Sequence, residues 1–224
     1  GSWVREAAMA AAMPLLRLAL PPTRDTTASS SLAPPLHTAD EWLELRAALP
    51  RLCQRMACEL CQQVTEKIDR VRELAAITLA ALLREPLPHV HAHTELRNLF
   101  VPSDCPGCVA PADAADFLVP SACFPITVHL LSLPAYRRVA LRGLSVSAGG
   151  ITESTLRGAR GALNQHLAHA SRLEIELVGE DLISLILEHS KEARLALPLL
   201  RMTEQLLEAR VLETLLHRYT REQV

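Results

Sequence analysis

Apolar residues recur at intervals of three and four along most of this 224-residue chain, and no stretch alternates apolar with polar residues between hairpin signals. From Glu66 to Arg84, for example, Ile68, Val71, Ala75, Leu79 and Leu82 follow one another at spacings of 3, 4, 4 and 3, which places them on one helical face. Ala and Leu dominate, Gly occurs only 8 times and aromatics make up 3%. Ala and Leu are strong helix formers, whereas sheets favour β-branched and aromatic residues. The pattern predicts an all-α protein. With 49% hydrophobic residues the chain is not a disordered one, and its length is enough for one large domain or two small ones.

The breakers punctuate this pattern. A helix over Trp3 to Leu20 is expected to kink at Pro14 and to end at Pro21-Pro22. Residues 21–37, rich in Pro, Ser and Thr, read as a flexible loop. Thr38 and Glu41 form a capping box that starts a helix at about Ala39, and Pro50 is expected to divide it from a second helix over about 51–63. The Glu66–Arg84 helix should stop before Pro86 and Pro88, and Thr94 should cap a short helix through Phe100. Residues 101–115 read as a second, irregular loop. Further helices are expected at about 121–132, 135–147, 153–170, 175–190 and 194–217.

Val4, Arg5, Glu6, Ala8, Leu15 and Leu16 match Val71, Arg72, Glu73, Ala75, Leu82 and Leu83 at a constant offset. Allowing for the 21–37 loop, that offset approaches the ~40–47-residue period of HEAT-type repeats. The expected architecture is a HEAT/armadillo-like α-solenoid of stacked antiparallel helix pairs rather than a closed bundle. It should occupy residues 3–224, with Gly1-Ser2 reading as a cloning scar on a chain cut from something longer.

Charge says little about the partners. Lys+Arg 23 against Asp+Glu 25 gives a net of −2, without the basic excess that marks nucleic-acid binders. Lys67 and Lys191 are the only lysines. The arginine skew suits a carboxylate-bearing partner, and biased codon usage accounts for it equally well. The uncharged apolar-rich run Leu74 to Leu83 in the middle of the chain is far short of the ~20 residues of a membrane span. Six Cys without a signal peptide read as reduced cytosolic thiols.

Two Cys-x-x-Cys pairs, Cys58/Cys61 and Cys105/Cys108, flank His89, His91 and His93, a set of residue types that zinc takes. The competing reading puts Cys53, Cys58 and Cys61 in a helix core, Cys105-Pro-Gly-Cys108 in a plain turn and the histidines in a solvated loop. Nucleotide, metalloprotease and serine-hydrolase signatures are lacking, so no catalytic residue, cofactor or metal is assigned. Gly149-Gly150, followed by Thr152, reads as a helix C-cap and the next N-cap. The charged run Glu66, Lys67, Asp69, Arg70, Arg72 and Glu73 reads either as self-paired surface, through Glu66/Arg70 and Asp69/Arg72, or as a partner-binding ridge. The binding candidates are therefore Glu66, Lys67, Asp69, Arg70 and Arg72, with Gly149, Gly150, Thr152, Glu153 and Thr155 in the interhelical turn.

Several motifs in register carry a family likeness. Glu66-Lys-Ile-Asp-Arg70, Pro88-His-Val90 with Glu95-Leu96 and Leu99-Phe100, Leu133-Pro-Ala-Tyr-Arg137, the run Gly143 to Thr155 and Glu192 to Leu200 resemble the C-terminal domain of the tubulin-folding cofactor D family. The likeness extends from about Val4 to Leu207. The 21–37 segment, the Cys105/Cys108 loop and the full histidine run depart from the pattern. The resemblance implies a cytoplasmic, microtubule-associated chaperone built as a HEAT/armadillo solenoid. Such a chaperone captures β-tubulin and meets α-tubulin through cofactor E. With cofactor C it stimulates GTP hydrolysis by tubulin, and it associates with an Arf-like small GTPase. The competing expectations are a zinc or redox module using the two Cys pairs, and a helical adaptor for another partner.

Overall fold

The computed structural model describes residues 1–19, 39–86, 89–101, 114–148 and 153–213. These contain nine α-helices and no strand: α1 (Ser2–Ala19), α2 (Ala39–Gln63), α3 (Asp69–Arg84), α4 (His93–Phe100), α5 (Pro120–Thr127), α6 (Pro134–Ala148), α7 (Glu153–His169), α8 (Arg172–Glu188) and α9 (Ala193–Glu208). Short 3-10 segments, Ala114–Leu118 and Val128–Ser132, precede and follow α5. The fold is all-α and solenoid-like. None of the described helices is long and apolar enough to cross a membrane.

Pro50 does not divide α2, which runs unbroken from Ala39 to Gln63, and Pro14 likewise lies inside α1. A mid-helix proline costs about 3 kcal/mol through one lost hydrogen bond and a steric clash. Burial outweighs it: Leu49, Cys53, Ala57, Leu60, Cys61 and Val64 form one buried stripe across the proline. Cys53 and Cys61 are fully buried and Cys58 packs against the core, so these thiols serve as small apolar groups.

Other boundaries shift for local reasons. α3 begins at Asp69 rather than Glu66, because residues 64–67 form a turn in which Thr65 and Glu66 donate their N–H groups to Gln62 and Gln63 carbonyls. α4 starts at His93, after Ala92 in a left-handed conformation (φ 49°), with no side-chain cap; Thr94 is not the cap. α9 ends at Glu208 instead of 217, where Arg210 takes φ 59° and the Val211 N–H reaches back to the Leu206 carbonyl, a Schellman-type termination. α8 begins on Ser171, whose hydroxyl accepts from the Glu174 N–H. Thr38 of the capping box, and the 21–37 loop, lie outside the described residues.

α6 is the packing hub, touching α2, α7, α8 and α9 as well as the 128–132 segment. Its small residues Ala140, Gly143 and Ser147 are buried, which lets α2 approach closely. At Gly143 a Cβ would lie 1.8 Å from the Thr65 hydroxyl oxygen and 2.6 Å from the Gln62 carbonyl, so only glycine fits. α1 packs on α3, the helix it matches in sequence, but the two copies differ in burial. Val71, Ala75, Leu82 and Leu83 are all fully buried in α3, whereas Leu15 is 64% and Val4 48% exposed in α1. α1 lies at the edge of the stack; α3 lies within it.

Candidate partner-binding end

Arg72 is the largest fully buried side chain of the described residues, only 1% exposed. Its guanidinium donates from Nε to the Phe117 carbonyl (2.9 Å), from Nη1 to the Glu66 carbonyl (2.9 Å) and from Nη2 to the Leu118 carbonyl (3.3 Å). The ring of Phe124 lies 5.4 Å below it. A buried cation without such partners would cost several kcal/mol, and three carbonyl dipoles with an aromatic face offset that cost. Arg72 thereby ties the 64–68 turn and the start of α3 to residues 117–118, from a distant part of the sequence. Burial pushes the neighbouring Cys123 thiol up to about 11, the arginine charge opposing the rise.

This overturns the pairing expected from helical spacing. Because the 64–67 turn is not helical, Glu66 has no i,i+4 partner in Arg70; its carboxylate is buried (8% exposed) and receives Nη1 of Arg5 from α1. Arg5 also donates to Gln63. Asp69 accepts the Arg70 backbone N–H instead of the Arg72 side chain. Glu66 and Arg72 therefore belong to the interior, as corrections to a ridge open to a partner, while Lys67, Asp69 and Arg70 are exposed.

In the second candidate segment, Gly149, Gly150 and Thr152 lie outside the described residues. Glu153 is exposed and pairs with Arg157 one turn on (2.8 Å), an arrangement worth only ~0.3–0.5 kcal/mol. Thr155 is 5% exposed, another interior residue. The two segments nonetheless converge: the Ser147 hydroxyl near the end of α6 donates to the Thr65 carbonyl at 2.6 Å. Arg160 of α7 donates to the Ala148 carbonyl, and Gly158 packs on Pro120. One end of the molecule thus gathers exposed Lys67, Asp69, Arg70 and Glu153 with half-exposed apolar Leu118 (37%) and Val119 (49%). Those two apolar residues were not singled out in the sequence. The signal was Phe117-Leu118-Val119-Pro120, an apolar run between the loop and a proline that starts α5.

Among the described residues the metal candidates do not converge. Burial pushes the Cys61 thiol well above its ordinary value and that of Cys58 also upward, the Gln54 amide bond to Cys58 opposing the latter rise. His91 meets α2 and α6 through its backbone, its N–H donating to Gln54 and its carbonyl accepting from the Tyr136 hydroxyl (2.7 Å). His89 and His91 stack edge-on, with centroids 5.2 Å apart. Among the described residues no group of three or more His, Cys, Asp or Glu could hold a metal ion; Cys105 and Cys108 lie outside them.

Two polar clusters escaped the sequence because their members come from different helices. Arg137 and Arg138 of α6 clamp Asp181 of α8 at 2.7 and 3.3 Å, and Arg138 also reaches Glu188. In a groove of about 410 Å³ between α5, α7 and α8, Glu174 accepts from the Ser132 hydroxyl at 2.6 Å and lies 3.1 Å from His166 Nε2. The hydroxyl thus meets a carboxylate, which in turn lies against the imidazole.

The fold and its polar groups define a class: a helical, solenoid-like domain whose buried charges are used to join helices. Within that class the family is specific. A family model described as tubulin folding cofactor D C terminal matches residues 54–223, about three quarters of the chain, and the chain belongs to that family. The match begins at Gln54 inside α2, so the expected likeness from Val4 onward is matched only from there. No solved structure matches the chain.

Proposed function

We propose that this chain is a non-catalytic binding and scaffolding domain of the tubulin-folding machinery. In this reading it engages β-tubulin, sister cofactors E and C, or both, during assembly and release of the αβ-tubulin heterodimer. It acts in the cytoplasm with the microtubule cytoskeleton, inside a larger assembly that stimulates tubulin GTP hydrolysis and includes an Arf-like small GTPase. The family match carries this reading. In support, stacked helix pairs present extended surfaces suited to gripping another folded protein. The 66–73 end offers exposed Lys67 and Arg70 beside apolar Leu118 and Val119, a mixture typical of protein interfaces.

The test uses the exposed cations and spares the buried one. The double substitution Lys67→Glu and Arg70→Glu should weaken capture of β-tubulin or of a sister cofactor about tenfold, with far-UV circular dichroism unchanged. Capture at wild-type level would overturn this assignment of the binding end.

A further inference from the structure

At the opposite end of α3, ~18 Å along the helix from Arg72, lies a groove of about 520 Å³ between the end of α3 and the start of α4. Its walls carry Arg84, Arg97, His89 and His93, and Pro86 and Val90 supply apolar surface. Among the described residues Glu85 is the sole acid of the lining, and its carboxylate is already taken by Arg17 Nε at 2.8 Å. Arg17 itself is largely exposed and stands at the groove's edge. Three guanidinium groups thus face one carboxylate, in a chain whose net charge is −2.

These cations are differently placed from Arg72. Arg97 spends one donor on the Leu83 carbonyl (3.1 Å), which fixes its guanidinium over the end of α3, and the residue is otherwise exposed. Arg84 is exposed and has no hydrogen-bond or ion-pair partner among the described residues. In the same wall, Nε2 of His93 is buried and has no hydrogen-bond partner among the described residues.

We propose that this groove receives an acidic peptide segment of a partner protein, its carboxylates taken by Arg84 and Arg97. The planar guanidinium fork matches a carboxylate through two parallel N–H···O bonds. Pro86 and Val90 offer apolar contact to the methylenes of glutamate side chains. A nucleic acid is the poorer fit: among the described residues no Phe, Tyr or Trp lines the groove for a base to stack on, and the chain lacks the wider basic field a phosphate backbone rewards. The proposal is independent of which partner the 66–73 end serves.

Fluorescence anisotropy of a labelled octaglutamate peptide, titrated with the full 224-residue chain, tests it. Saturable binding that weakens with added salt is expected. Arg84→Glu should lose at least about tenfold in affinity, and Arg70→Glu, at the other end of the same helix, less than about twofold. If Arg84→Glu perturbs the circular dichroism spectrum, Arg84→Gln is read instead, with a smaller loss expected in the same direction. Absence of saturable binding overturns the proposal, as do equal losses for Arg84→Glu and Arg70→Glu. So does displacement of the peptide by inorganic phosphate, or by a single-stranded oligonucleotide of equal charge, at lower concentration than by unlabelled octaglutamate.

Discussion

The two ends of α3 carry nearly the same tripeptide with opposite fates. Val71-Arg72-Glu73 buries its arginine to 1% exposure beneath the carbonyls of residues 117 and 118. Leu83-Arg84-Glu85 leaves its arginine in water at the rim of a groove. Each arginine follows a fully buried apolar residue, Val71 or Leu83, so the local pattern is alike. The difference comes from what lies across the helix. The 114–118 segment closes over the first end and offers its carbonyls, while at the second end α4 packs alongside and sends Arg97 to the Leu83 carbonyl, leaving Arg84 uncovered. A charged residue in a helical pattern is therefore structural or available according to its distant neighbour.

The sharpest way to break this comparison is to remove both charges. Arg72→Met keeps the bulk but strands three carbonyls, and should cost about 3 kcal/mol or more of unfolding free energy. Arg84→Met should stay within ~0.5 kcal/mol. Urea melts of the two variants would settle it, and equal midpoints would show that Arg72 is not the tie between α3 and residues 117–118. A smaller effect is expected beside the same turn. Gly143→Ala pushes a methyl into the Thr65 hydroxyl and should cost ~1–3 kcal/mol. Adding Thr65→Ala should recover only part of that loss, because the Gln62 carbonyl stays in the way. Full recovery would place the rigidity in one side chain instead of the close α2–α6 approach.

The smallest effect concerns a group intermediate between the two arginines. His129 has its pKa lowered first by burial and then by nearby His166, with Glu174 opposing. Its rings and those of His166 meet edge-on at 5.4 Å, and His169 and Gln165 line the same groove. A lowered folded pKa means the unfolded chain binds more protons as pH falls below about 6.5. Stability from this group is thus present above that pH and is lost as pH drops through the folded value. Denaturant melts at stepped pH should show a shallower fall below neutrality in His129→Gln than in the parent; parallel curves would remove His129 as the source.

Much of the fold was legible because helical periodicity reports burial directly. The stripe from Ile68 to Leu82 faces the core as spaced, and Cys53 and Cys61 are the buried small residues their positions implied. What was not legible depends on contacts between segments far apart in the chain. Pro50 could be weighed locally only as a breaker, since the stripe that carries α2 through it gains its energy from α3 and α6. The binding candidates divided for the same reason. Spacing identified Lys67, Asp69 and Arg70 as charged surface, but could not show that Arg5 would claim Glu66 or that Phe117 would claim Arg72. The Arg137–Asp181 clamp and the Ser132–Glu174–His166 cluster have no local signature at all.

By itself, then, the sequence determined the helical class, the buried stripes and, through motifs in register, the family. These rest on interactions within a few turns of one helix, where identity and spacing suffice. Only the tertiary structure decided which arginines are interior ties and which remain open to a partner. The desolvation of a charge is set by the atoms that surround it, and for Arg72 the decisive ones come from residues 117, 118 and 124.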